Sequence, residues 1–134
     1  MSNDTPKFTA DPSTQGSWAA PTRQQSSNVA KTLAVTGADW IWVDTEHVAW
    51  SQKLLVEVIQ MIDDESHGNR IPVVRVPSKT AFDCMACCQD AGAGGIITLH
   101  VETAEEVAAV VAACRFPPTG HRSYPPFTFL SSLT

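Results

Sequence analysis

Between Gly16 and Arg115 one unit recurs four times: a short apolar run, a stretch of helical periodicity, then a break in the pattern. No other feature limits the fold as much. Strands that alternate with helices this regularly imply crossover connections, a parallel sheet and an α/β fold. At roughly 25 to 30 residues per unit the repeat has the length of a (β/α) barrel unit, and a closed eight-unit barrel needs about 250 residues. With 134 residues, the expectation is a partial (β/α)8 TIM barrel of about four β-α units. A small open α/β sheet is the alternative.

The units read as follows. Gly16-Ser17-Trp18-Ala19-Ala20 predicts a first strand, and a helix from Ser27 places Val29, Ala30, Leu33 and Ala34 on one face before stopping at Gly37. Trp40-Ile41-Trp42-Val43 is a continuous apolar run, the pattern of a strand covered on both faces. A helix over Ser51 to Ile62 buries Leu54, Leu55, Val58, Ile59 and Ile62, and Asp63 to Asn69 reads as a polar, solvated loop. The third strand is Ile71 to Val76, with Pro72 near its start, where a missing donor matters least. The third helix spans Thr80 to Ala91, and the fourth strand Gly95 to Leu99. In the last helix Thr103 and Glu106 stand at capping-box spacing. Val107, Val110, Val111 and Cys114 then form one stripe expected to be buried.

Flanking this body, residues 1–15 are rich in Ser, Thr, Asp and Pro and predict a flexible tail, and residues 123–134 an irregular one. The body between them, residues 16–122, is expected to be a truncated half of a barrel. Net charge of -5, from 9 Lys+Arg against 14 Asp+Glu, leaves no basic cluster for nucleic acid or an anionic membrane surface. No apolar run approaches a membrane span and no leader sequence is visible. The expected location is the cytoplasm, with the four cysteines reduced.

In parallel α/β folds functional groups collect beyond the C-terminal ends of the strands. The second strand delivers Asp44, Glu46 and His47 there, the third Arg75, and the fourth His100 and Glu102. A His beside a carboxylate is a general base whose tautomer the carboxylate sets. An Arg offers a fork for a carboxylate or a positive charge for a developing enolate. Such a set suits proton abstraction or carbon–carbon bond chemistry on a small oxo acid. The structural alternative has Asp44 capping a turn, His47 in a loop and Arg75 paired with an acid.

Five ordered segments narrow the choice. Gly37-Ala38-Asp39-Trp40-Ile41-Trp42-Val43-Asp44-Thr45-Glu46-His47 resembles the signature of the HpcH/HpaI aldolase/citrate lyase family, class II pyruvate aldolases. Pro72-Val73-Val74-Arg75-Val76-Pro77 resembles its arginine-bearing strand, and Asp90-Ala91-Gly92-Ala93-Gly94-Gly95-Ile96-Ile97 the entry to the next strand. Val101-Glu102-Thr103-Ala104-Glu105-Glu106 and Arg115-Phe116-Pro117-Pro118-Thr119-Gly120-His121-Arg122 are similar to later landmarks.

The resemblance implies reversible aldol cleavage of a 4-hydroxy-2-oxo acid to pyruvate and an aldehyde, on a barrel that forms homo-oligomers. It makes His47 the general base and Arg75 the group that stabilises the enolate. Asp90 becomes the acid that raises the histidine's basicity, often from a neighbouring subunit, and Asp44 the residue that orients the site. It also implies a divalent metal (Mg, Mn or Co). The family's metal-binding Glu and Asp lie on strands after the segment ending at Arg122, so no metal ligand is assigned here and impaired activity is expected. A catalytically inactive, oligomeric interaction module is the competing expectation. Val48-Ala49-Trp50 replaces the family's small residues after the histidine, Leu99 stands at a usual Pro and Ser123 at a usual Gly.

Cys84, Cys87 and Cys88 share one helical face. Core packing is their expected role, with a redox or metal group as the alternative. The four tryptophans are expected to pack rather than to stack on bases.

Overall fold

The structure, a computed structural model, describes residues 19–22 and 26–124. Strands and helices alternate as β1 (Ala19–Thr22), α1 (Ser27–Ala34), β2 (Trp40–Asp44), α2 (Gln52–Ser66), β3 (Ile71–Arg75), α3 (Phe82–Asp90), β4 (Gly95–Ile97) and α4 (Ala104–Cys114). All pairs are parallel, and the sheet order is β1-β2-β3-β4. Among the described residues the order never reverses, so these four strands have no switch point of the doubly wound kind. They are singly wound, as the strands of a barrel are. The expected tail over residues 1–15, the start of the first strand at Gly16 to Trp18, and residues 125–134 lie outside the described residues.

Aromatic and β-branched residues make β2 a strand, and its alternation decides which face is covered. Ile41 and Val43 are fully buried, whereas Trp40 and Trp42 are half-buried. The same alternation in β3 buries Val74 and leaves Val73 half-exposed. Ile41, Val43 and Val74 pack under Ala30 and Ala34 of α1, Leu55, Val58, Ile59 and Ile62 of α2, and Cys88 of α3. The expectation that β2 is covered on both faces is therefore corrected. Among the described residues, the helices cover one face of the sheet only.

Helix boundaries shift for identifiable reasons. Ser51 Oγ accepts from Leu54 N at 3.2 Å and starts α2. The helix continues to Ser66, so Asp63, Asp64 and Glu65 form its last turn and not a loop. Its stop is His67, whose backbone is left-handed (φ 52°), followed by Gly68 N–H to Asp63 O at 2.9 Å. Acids at a helix C-terminus oppose its dipole, and Lys31 of α1 offsets one of them by pairing with Glu65 at 3.0 Å. The strands β3 and β4 are shorter than expected, because their pairing ends at Arg75 with Ile97. β4 can lie so close to β3 because residue 94 is glycine: a Cβ there would sit 2.5 Å from Ile71 Cγ2.

The capping box of α4 is present. Thr103 Oγ1 accepts from Glu106 N at 3.2 Å, and Glu106 Oε2 accepts from Thr103 N at 3.4 Å. The buried stripe is not. Val107 and Val111 are 49% and 47% exposed, Val110 and Cys114 are half-buried, and Ala113 is the one buried residue of the helix. Among the described residues α4 packs chiefly on α3, and nothing covers its Val107 and Val111 side.

Candidate functional site

Register builds the site. Asp44 and Arg75 are directly opposed at the ends of β2 and β3, so their side chains leave the same face of the sheet. The fork of Arg75 then engages Asp44 twice, Nε to Oδ1 at 2.9 Å and Nη2 to Oδ2 at 2.5 Å. Asp44 is buried despite its charge, which is tolerable only because the pairing is bidentate and supplemented by Glu46 N–H at 3.0 Å. The Asp44 carboxylate, first through these hydrogen bonds, holds the Arg75 guanidinium above its ordinary value despite its burial, and the Glu46 charge adds to this. Arg75 also lies 4.9 Å over the Trp42 ring, a cation–π contact.

Two further carriers complete the rim. Glu46 Oε2 bridges Arg75 Nη1 at 2.8 Å and His47 Nε2 at 3.2 Å. The turn that presents them is tied down on both sides. Thr45 donates both its N–H (3.1 Å) and its hydroxyl (2.6 Å) to Arg75 O, and Trp50 Nε1 donates to Asp44 O at 2.7 Å. Trp50 thus works as a brace for the loop after His47. The His47 side chain is 65% exposed and faces solvent at the mouth of the sheet.

This arrangement has definite chemical capacity. A neutral His47 that directs its Nε2–H at Glu46 carries its lone pair on Nδ1, which makes Nδ1 the basic atom. Arg75 has five N–H donors. Three are committed to Asp44 and Glu46, which leaves two by count for an oxyanion or a substrate carboxylate. All three features of the structural alternative are present as well: Asp44 accepts from the following turn, His47 stands in the loop between β2 and α2, and Arg75 is paired with acids.

Asp90 stands apart. It is the last residue of α3, and the link Ala91 to Gly94 leads from it to the start of β4, so it lies toward the N-terminal ends of the strands. Its carboxylate pairs with Arg122, whose guanidinium stacks 4.7 Å over Phe116. Within one chain, Asp90 is not brought to His47. His100 and Glu102 form a separate cluster on the β4 side. His100, exposed and left-handed (φ 51°), accepts from Lys79 Nζ through its carbonyl at 3.0 Å, and Lys79 also pairs with Glu106. The backbone N–H of Glu102 at 2.9 Å and then Lys79 hold Glu106 below the usual carboxylate range.

The sequence puts two carboxylates, Asp44 and Glu46, beside His47; the structure shows that Glu46 is the one that meets the imidazole and that it also bridges to Arg75. Lys79 had no sequence signal beyond its position after Pro77.

The donor set does not fit a divalent cation. Both Asp44 oxygens and Glu46 Oε2 are engaged by Arg75 and His47, and the described residues contain no group of three or more His, Cys, Asp or Glu able to hold a metal. No helix among the described residues is long and apolar enough to cross a membrane.

A singly wound parallel sheet with charged groups at its C-terminal rim is the pattern of a (β/α)8-barrel enzyme. The sequence model of the HpcH/HpaI aldolase/citrate lyase family matches residues 21–131, and the chain belongs to this family. It is 37% identical over 95 residues to a 4-hydroxy-2-oxovalerate aldolase of Rhodococcus jostii, covering 69% of this chain and 35% of that protein. It is 33% identical over 107 residues to a 2-keto-3-deoxy-L-rhamnonate aldolase of Klebsiella pneumoniae, covering 80% and 38%. Among solved structures, macrophomate synthase superposes with a TM-score of 0.74 at 37% identity, over 83% of this chain and 36% of that one. A family member from Burkholderia cenocepacia gives 0.74 at 28% identity, over 82% and 44%. The fold is therefore a part of a (β/α)8 barrel, and the chain spans between about a third and a half of the length of these relatives.

Proposed function

We propose that the chain carries the base-and-arginine side of a pyruvate-type aldolase site, acting on a 4-hydroxy-2-oxo acid to release pyruvate and an aldehyde. The observation that supports this most is the relay Asp44–Arg75–Glu46–His47 at the ends of β2 and β3, in a chain whose relatives are named oxo-acid aldolases. In the cleavage direction His47 Nδ1 takes the proton of the C4 hydroxyl. The C3–C4 bond breaks, the aldehyde forms and the electron pair passes into the enolate of pyruvate. Arg75 faces the developing oxyanion with its two remaining N–H donors, and Asp44 is the positioning residue that holds the fork. The His47 imidazolium then returns that proton to C3 of the enolate, which completes pyruvate and restores the neutral base.

The family's aldolases are metal-dependent, but the residues of this rim do not fit a divalent cation, and Arg75 alone is assigned to the developing oxyanion; Asp90 would serve the His47 of a neighbouring subunit in a homo-oligomer. The half-exposed Val107 and Val111 of α4 support self-association. Four free cysteines support a reducing, cytoplasmic setting, and the acidic balance argues against nucleic-acid or membrane partners.

Pyruvate release from a 4-hydroxy-2-oxo acid, with a divalent cation supplied, tests the reading. Slow release that His47→Ala abolishes is expected. Release that His47→Ala leaves unchanged refutes it. The same α4 surface favours a second reading, an inactive module that self-associates, for which light scattering would show a defined oligomer while no turnover is detected.

A further inference from the structure

The solvent side of α4 is unlike that of α2. On α2 the exposed residues are Gln52, Lys53, Glu57, Asp63 and Asp64, all polar, as the outer side of a packed helix should be. On α4 Ala104, Val107, Ala108 and Val111 are exposed instead, at the i, i+3, i+4 and i+7 spacing of one apolar face. Cys114, one heptad after Val107 and therefore on nearly the same flank, meets Met85 of α3 at 4.0 Å. In a barrel the next helix lies on the flank away from α3. Such a helix would leave Val107 and Val111 open.

We propose that this face of α4 docks a second copy of the chain, with the two α4 helices antiparallel across a twofold axis. The proposal rests on the self-association reading above and is independent of turnover. Charge selects the occupant. Glu105 stands at the N-terminal end of the face and Arg115 at its C-terminal end. Both are exposed, and neither has an ionic partner among the described residues. A surface that is acidic at one end and basic at the other is its own complement under a twofold rotation.

An axis centred between Val107 and Val111 sets Val107 of each copy beside Val111 of the other, and Glu105 beside Arg115. It also lays the two helix dipoles head to tail, which favours the pair. The small side chains of Ala104 and Ala108 let the helix axes approach to about 8 Å, the short end of the packing range. With 11 residues, α4 is only about 16 Å long. The contact therefore falls below the roughly 1,200 Å² of a stable interface. The dimer is weak, and the single chain prevails in dilute solution.

The test is the weight-average mass of the full chain by sedimentation and light scattering, from about 10 μM to about 1 mM, the range of a weak complex. The wild type should move from the mass of one chain toward that of two. Val111→Asp should stay at one chain throughout. Glu105→Arg and Arg115→Glu should each weaken association by at least about fivefold, because like charges then meet at both ends of the pair. An equimolar mixture of these two variants opposes Arg to Glu at both ends and should associate within about twofold of wild type. Mixing alters neither variant's own fold, so recovery reports the docking geometry alone. A wild type that keeps the mass of one chain throughout overturns the proposal together with the self-association reading. Association that Val111→Asp leaves unchanged, or a mixture no stronger than either variant, overturns the α4 pairing while that reading stands.

Discussion

Two helices with the same written pattern have different fates. In α2, Leu55, Val58, Ile59 and Ile62 repeat at helical spacing and all are buried against β2, β3 and α1. In α4, Val107, Val110, Val111 and Cys114 repeat just as regularly, yet Val107 and Val111 stay about half exposed. Both helices begin with a side-chain cap, so local signals do not separate them. The difference is the neighbour. α2 lies between α1 and α3, while among the described residues α4 packs chiefly on α3. Periodicity states that a helix owns an apolar face and leaves open whether the described residues include anything to cover it.

Substitutions can break this comparison. Ile59→Ala empties a fully buried site in α2 and should cost about 3 kcal/mol in urea unfolding. A loss below about 1 kcal/mol would mean the core is not centred where it is drawn. The cap of α4 should count for more than its stripe. Thr103→Ala removes the acceptor for Glu106 N–H and should cost about 1 kcal/mol.

The partner of that cap has a pH signature. Glu106 is held below the usual carboxylate range in the fold, chiefly by the Glu102 backbone N–H. Its stabilisation is therefore complete above the unfolded value of about 4.3 and is lost as pH falls through the lower folded value. Glu106→Gln should remove that part of the acid-limb slope, as read from unfolding curves between pH 2 and 6. An unaltered slope would show that the cap carries no ionised carboxylate. The smallest effect belongs to the stripe. Val111→Ala should stay within about 0.5 kcal/mol of wild type for the isolated chain. A cost near that of Ile59→Ala would show that self-association covers α4 in solution.

Much of the architecture could be read from residues alone. The four units, the parallel sheet and the capping box follow from apolar runs and from the Thr103–Glu106 spacing, all local properties. What could not be read depended on distant partners. The run Trp40 to Val43 looks continuous, but only Ile41 and Val43 meet helices. The acids Asp63 to Glu65 look like a loop, and the helix passes through them because the left-handed turn comes later, at His67 and Gly68.

In the site, His47, Arg75 and Asp44 were legible as rim residues from their places after strands. The bidentate pairing of Asp44 with Arg75 needed the β2–β3 register, and the bridging role of Glu46 followed from it. Asp90 was legible only through family resemblance. Chain connectivity puts it toward the other end of the sheet, on Arg122.

The central claim is that the β2–β3 rim activates an oxo acid through His47 and Arg75. Exchange of the methyl protons of pyruvate for deuterium in D2O, followed by proton NMR, isolates the proton-transfer step from carbon–carbon cleavage. The chain, with a divalent cation supplied, should accelerate exchange over buffer. His47→Ala should return it to the buffer rate, and Arg75→Lys should slow it by at least about 10-fold, since a point charge replaces a positioned fork. Exchange at the buffer rate in the wild type, or exchange that His47→Ala leaves intact, would contradict the claim.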